Sequence, residues 1–146
     1  MERDELPLEN KMDIQELCAF ITYFENIDPD KVCQWKGGEK LEGGAISFPY
    51  PVYDEKFMAF IGAFYKSEMP VHDYPKELDR RVPNWQTTDI HKVVETADFE
   101  LVKIILTKCI RVEKFNSGAW DRAIRSGLFL DILRRLNILV INNKVC

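Results

Sequence analysis

Along this chain the apolar side chains recur mostly at helical spacing. Ile14, Leu17, Cys18, Ile21 and Phe24 form a first stripe. Asp13 and Glu16 stand where a capping box would open it, and the turn NIDPD at 26–30 closes it. Phe57, Phe60, Ile61 and Phe64 form a second stripe behind Asp54, whose carboxylate can accept from the free N–H groups of a helix start. That stripe ends near Met69, because Pro70 disfavours helical backbone in the residue before it. Residues 70–86, with three prolines, predict a loop with one helical turn, and Thr88 opens a short helix carrying Ile90, Val93 and Val94.

From Asp98 the run FELVKIILTKCIRV is apolar around most of its circumference. Glu100, Lys103, Thr107, Arg111 and Lys114 share one narrow stripe, which predicts the central helix of the fold with a single wetted edge. Ser117 is the expected N-cap of a short helix through Trp120 and Ile124, with Gly127 as its left-handed stop. Phe129, Ile132, Leu133 and Leu136 give a last apolar face, where Asp131 is placed to pair with Arg134 or Arg135.

One segment breaks the pattern. VCQWKGGEKLEGGAISFPYPVY holds two Gly-Gly pairs and two prolines, which exclude a helix, and short extended pieces around Trp35 and Ile46 predict a small hairpin. The fold class is therefore mainly α. The chain reads as one compact helical domain of five or six helices with a hairpin-like or extended insertion at about 31–52. Residues 1–11 are expected to be loosely ordered, 12–138 to form the domain and 139–146 a C-terminal tail.

Composition narrows the picture. A chain of 146 residues fits one domain, and a chain of that size buries roughly 68–70% of the surface its unfolded form exposes. The hydrophobic and charged fractions, 46% and 30%, are those of a globular protein. There is no transmembrane run, and the acidic start MERDELPLENKMD lacks the basic and apolar parts of a secretory signal, so a cytoplasmic location is expected. Cys18, Cys33, Cys109 and Cys146 show no CxxC spacing and are expected to be reduced, mostly structural thiols. The net charge of −4 hides an asymmetry. Residues 1–97 carry 11 Lys and Arg against 19 Asp and Glu, whereas residues 98–146 carry 9 against 5. Two halves at −8 and +4 should attract each other, which accounts for the asymmetry more simply than a nucleic-acid surface does.

Few motifs carry chemistry. His72, Asp73, Asp89 and His91 could supply metal ligands, but no two histidines fall at i, i+4 and no cysteine pair completes a set, so capping and surface roles are expected. A Cys–His nucleophile lacks a partnered cysteine. The Gly-Gly pairs at 37–38 and 43–44 precede no phosphate-binding helix, and no cofactor is expected. Read as a helix-turn-helix, residues 98–136 offer only Arg122 and Arg125 on a short second helix that also carries Asp121.

The run RVEKFNSGAW, followed by SGLFLDILRRL, resembles the C-terminal signature of an uncharacterised family of small bacterial proteins with a domain of unknown function. That signature is an apolar helix, then R-x-x-[RK]-F-x-x-G, a short helix and G-x-x-x-x-I-L-R-R-L. Arg111, Phe115, Gly118, Gly127, Ile132, Leu133, Arg134, Arg135 and Leu136 fall on it. Lys114 stands where the family more often has arginine, which replaces a bidentate fork with a point charge. FPYPVYDEKFMAFIGAFY is similar to the family's proline-rich lead into its second helix, and His72-Asp73-Tyr74 occupies the place of an F-D-W-like loop. The resemblance spans about residues 12–138. It implies one intact domain and no particular reaction, cofactor or partner.

Arg111, Lys114 and Arg122 cluster in sequence at the C-terminal end of the central helix, beside the N–H groups of the helix opening at Ser117. Such a corner can hold an anion. An internal carboxylate from Asp73, Asp79 or Glu113 is the favoured occupant, with Arg111 at least half buried and therefore paired. The expected role is a non-enzymatic interaction or accessory module of the bacterial cytosol. Such a module would expose an aromatic patch drawn from Trp35, Phe48 and Tyr50. The alternatives are an enzyme or binding protein for a small anionic ligand, using Arg111 with Asp73 or Tyr53, and a nucleic-acid-binding helical domain.

Overall fold

Aspartate side chains set four of the helix starts. In a computed structural model, which describes residues 8–142, Asp54 accepts from the Phe57 amide at 2.7 Å and opens α4 (Glu55–Lys66). Asp98 accepts from Leu101 at 2.8 Å and opens α7 (Phe99–Arg111). Asp89, rather than Thr88, caps α6 (Ile90–Thr96) through the His91 amide, and Asp28 caps the single turn α3 (Pro29–Val32). Each cap satisfies one of the donors that a helix start leaves without a partner. The remaining helices are α1 (Leu8–Cys18), α2 (Ile21–Glu25), α5 (Tyr74–Arg81), α8 (Ala119–Arg125) and α9 (Leu128–Ile141). Short 3-10 turns lie at Trp85–Thr87 and Val112–Lys114.

The chain is mainly helical with one small hairpin, but the described residues hold nine helical segments instead of five or six. The first stripe is split at Ala19–Phe20 into α1 and α2, and both pieces pack on α9. α1 begins at Leu8, so Asp13 lies inside it and caps nothing. Residues 8–11, expected to be loosely ordered, have helical backbone, and 1–7 lie outside the described residues. α5 runs for eight residues in place of one turn, because Pro75 sits in its first turn, where a missing N–H costs no intrahelical bond. α9 takes in residues 139–141 of the expected tail, while 143–146 lie outside the described residues.

α7 and α9 form the centre. α7 buries Leu101, Val102, Ile104, Ile105, Leu106, Cys109 and Ile110, and α9 buries Phe129, Ile132, Leu133, Leu136 and Leu139. Thr107, predicted on the wetted edge, is fully buried. It is tolerated there because its hydroxyl donates to the Lys103 carbonyl at 2.7 Å and accepts from the Val71 amide at 3.1 Å. Phe24, Phe57, Phe60 and Phe129 form an aromatic knot with ring centroids 5.1–6.3 Å apart; pairs of this kind contribute about 0.5–1.5 kcal/mol beyond the area they bury.

The oppositely charged halves meet as their balance predicted, through Asp30–Arg125 at 2.7 Å and Glu25–Arg134 at 2.9 Å. Asp131 pairs with neither Arg134 nor Arg135. It contacts Nδ1 of His91 at 2.6 Å, while Arg135 donates to the Ala97 carbonyl at 2.8 Å. The helical face of α9 turns Asp131 toward α6, a longer-range packing choice that residue spacing does not encode.

The insertion forms β1 (Cys33–Lys36) and β2 (Tyr50–Tyr53), antiparallel, with Cys33 opposite Tyr53, Trp35 opposite Pro51 and Lys36 opposite Tyr50. Beyond the strands the hairpin continues through the Gly38–Ser47 and Ser47–Glu39 backbone bonds and a bridge between Lys40 and Ile46. No helix among the described residues is long and apolar enough to cross a membrane.

Candidate functional site

The stretch from Arg111 to Asp121 connects α7 to α8, and Glu113 organises it. Its Oε1 accepts from the Trp120 amide at 2.8 Å, and its Oε2 accepts from the Gly118 amide and from the Tyr53 hydroxyl, both at 3.1 Å. The Tyr53 oxygen in turn accepts from the Asp121 amide at 3.2 Å. Three backbone donors at the start of α8 are thus satisfied within the chain, two of them by a carboxylate, which makes the stronger kind of hydrogen bond. Burial pushes the Tyr53 phenol pKa upward, and the negative charge of Glu113 adds to it, so the neutral donor is the form held.

Two indoles close the corner. Trp120 donates from Nε1 to the Ile110 carbonyl at 2.9 Å, satisfying one of the last carbonyls of α7. Trp35 of β1 lies against Gly118, which has a left-handed φ of +92°. A Cβ at that position would come within 2.7 Å of the Trp35 ring, so both the backbone and the close approach require glycine. Trp35 Nε1 also reaches Asp121 at 3.4 Å, and Arg125 bridges Asp121 at 2.9 Å and Asp30 at 2.7 Å. Tyr53 and Trp120 pack on Phe57, with ring centroids 5.2 and 5.4 Å away, so the corner is continuous with the aromatic knot.

The structure divides the residues that sequence placed together. Arg111 and Lys114 line one groove of about 500 Å³, together with Tyr65, Ile110, Glu113 and Trp120. Arg122 is exposed and lines a different groove between α6, α7 and α8. Asp73 is exposed at the start of α5, makes no capping bond and lines neither. Arg111 is largely covered, yet no ion pair or hydrogen bond engages its guanidinium among the described residues, so the predicted buried pair is not formed. The reason is geometric: residues i and i+2 do not share a helix face, and Glu113 is turned to α8. Arg111, partly buried, lines the groove instead. Gly118, not Ser117, occupies the N-cap position of α8. Gly127 has the left-handed φ expected of it, +80°.

Other candidate chemistry disperses. His72 is exposed, Asp89 is a cap and His91 contacts Asp131. Among the described residues no group of three His, Cys, Asp or Glu side chains is gathered for a metal. Burial pushes the thiol of Cys18 up to about 12 and that of Cys109 up to about 11, and it raises Cys33 as well, with Asp121 adding to the shift. These groups are protonated thiols at neutral pH, not activated nucleophiles.

The hairpin shows the opposite character away from its base. Phe48 is 89% exposed, Ile46 67% and Tyr50 52%; Leu41 and Val52 are also exposed, and Trp35 is half-exposed. Phe115, in the turn leading to Gly118, is 79% exposed.

These features define a helical domain carrying one β-hairpin, fastened at its base by a carboxylate–phenol network and bearing exposed apolar side chains along its returning arm. The chain belongs to DUF6508, a family of unknown function, which it matches over residues 9–142. No curated protein and no solved structure matches it.

Proposed function

We propose that the protein is a non-enzymatic interaction module and that the hairpin at 33–53 is its recognition surface. The observation that carries this reading is the row of exposed Ile46, Phe48 and Tyr50 on an element whose base is fixed. Contiguous exposed apolar side chains mark contact surfaces, and aromatic residues are enriched there. Residues 33–53 contain two lysines and two glutamates, a balance of zero in a chain of net charge −4, which suits an apolar protein surface better than a phosphate backbone. The bacterial cytosol fits the family resemblance and the free thiols of Cys18, Cys33 and Cys109. Of the signature R-x-x-[RK]-F-x-x-G, Gly118 is the position that lies against the hairpin, where it makes room for Trp35.

Photo-crosslinking inside cells tests this. A photoreactive residue at position 48 should give one dominant adduct that recurs from position 50. The same residue at exposed Tyr65, on α4, should not give it. Equal adducts from 48 and 65, or none from 48, would contradict the proposal.

A second reading has its own observation: among the described residues Arg111 lacks an acceptor, and it shares its groove with Lys114. A small carboxylate or phosphate there would raise the wild-type melting temperature by binding the native state, and Arg111→Ala would abolish that rise. A rise unchanged in the variant would exclude this groove.

A further inference from the structure

A partly enclosed cavity of about 210 Å³ lies between α5, α7 and the start of α9, walled by Leu78, Trp85, Ile90, Ile105 and Leu128 and also lined by the exposed Gln86 and Thr88. At about 30 Å³ per water-sized group, it has room for roughly seven such groups. It continues into the open groove of about 350 Å³ that Arg122 lines: both share Ile90, Lys108, Cys109 and Leu128. The joined space has a mainly apolar inner part and a more polar outer part with Asn116, Arg122 and Ser126.

Its charge is one-sided. Among the described residues the titratable side chains that line it are Lys108, Arg122, His91 and Cys109, and no carboxylate does. Lys108 is largely covered and makes no ion pair among the described residues; its ammonium sits 4.4 Å from the Trp85 ring centroid. Asp79 is occupied with the Trp85 indole N–H at 3.0 Å and lines neither part, and Asp131, which holds His91, lines neither. The Lys108 ammonium thus stacks on Trp85 where the two parts meet, and Lys108 and Arg122 both line the outer part, so two cations beside a mainly apolar cavity match a ligand with an anionic head and an apolar tail.

We propose that this space binds a medium-chain amphiphilic carboxylate, its hydrocarbon tail in the cavity behind Trp85 and its head group in the part lined by Lys108 and Arg122. The inference is independent of the hairpin. Tail burial supplies most of the affinity, and the cations select the charged head over an alcohol.

Octanoate, octanol and inorganic phosphate are the probes, each titrated into the isotope-labelled full chain. Octanoate should shift the Trp85 indole and the Ile90 and Leu128 methyl resonances saturably. Octanol should bind about tenfold more weakly, as loss of one charge-assisted contact implies, and phosphate should leave these resonances unmoved. Lys108→Gln should weaken octanoate by roughly tenfold while changing octanol less than about twofold. Arg122→Gln, at an exposed position where folding is not at stake, should do the same. Absence of saturable shifts with octanoate, equal affinity for octanol, phosphate binding as tightly as octanoate at the same resonances, or unchanged octanoate affinity in Arg122→Gln would each overturn the proposal.

Discussion

Phe48 and Phe57 stand nine positions apart on either side of β2, and the fold treats them oppositely: Phe57 is wholly buried in the aromatic knot, Phe48 is 89% exposed. The same contrast divides the insertion. At its base, Cys33 is buried, Tyr53 bonds Glu113 and Trp35 covers Gly118; farther out, Ile46, Phe48 and Tyr50 face solvent. Leaving a phenylalanine exposed forgoes about 1.5–3 kcal/mol that its burial would contribute. An element anchored by a polar network yet exposing apolar side chains along one arm is built for presentation rather than for core packing.

If that division is right, the largest loss of stability comes from the base. Glu113→Ala leaves the Gly118 and Trp120 amides and the Tyr53 hydroxyl without their acceptor, and should cost about 3 kcal/mol in denaturant melts. Next comes Gly118→Ala, at about 2 kcal/mol, which combines left-handed strain with the clash against Trp35. Gly127→Ala should cost only about 1 kcal/mol, because nothing lies within 4 Å of the added methyl and the backbone alone objects. Equal losses at the two glycines would remove the Trp35 contact from the account.

Alkaline pH acts more gently, at the base through Tyr53 and elsewhere through Tyr23, Cys18 and Cys109. Tyr53, Tyr23, Cys18 and Cys109 all have pKa values raised by folding. The unfolded chain therefore loses protons first, and the stability these groups contribute is full below their unfolded values and falls as pH rises beyond them. Melting temperature should decline from about pH 9, the ordinary thiol value, and more steeply above 10, the ordinary phenol value. Tyr53→Phe should flatten the upper part of that decline; an identical slope would mean that the phenol ionises freely in the folded state. The smallest effects belong to the solvent side. Arg111→Ala should change stability by about 1 kcal/mol or less, not the 3–5 kcal/mol of a broken buried pair, and Phe48→Ala by about 0.5 kcal/mol or less.

The helical stripes were legible because local periodicity carries them: Ile14 to Phe24, Phe57 to Phe64, Phe99 to Ile110 and Phe129 to Leu136 all reach the core. Glycine and proline likewise betrayed the hairpin. Glu113 could be named only as one of three possible acceptors, since its partner Tyr53 is 60 positions away. The Arg111 pairing failed for a related reason. Chain proximity brought Arg111, Lys114 and Arg122 together in sequence, but the turn at 112–118 sends their side chains to different grooves. Thr107 was misplaced because a hydroxyl bonded to backbone can be buried like an apolar group.

Glu113 and Tyr53 act together to fasten the hairpin to the α7–α8 connection. A double-mutant cycle on Glu113→Ala and Tyr53→Phe, read by denaturant unfolding, tests it most directly. The expected coupling is about 1 kcal/mol, with Tyr53→Phe costing much less once the carboxylate is gone. Losses that add to within ~0.3 kcal/mol would contradict it and leave the hairpin held by packing alone.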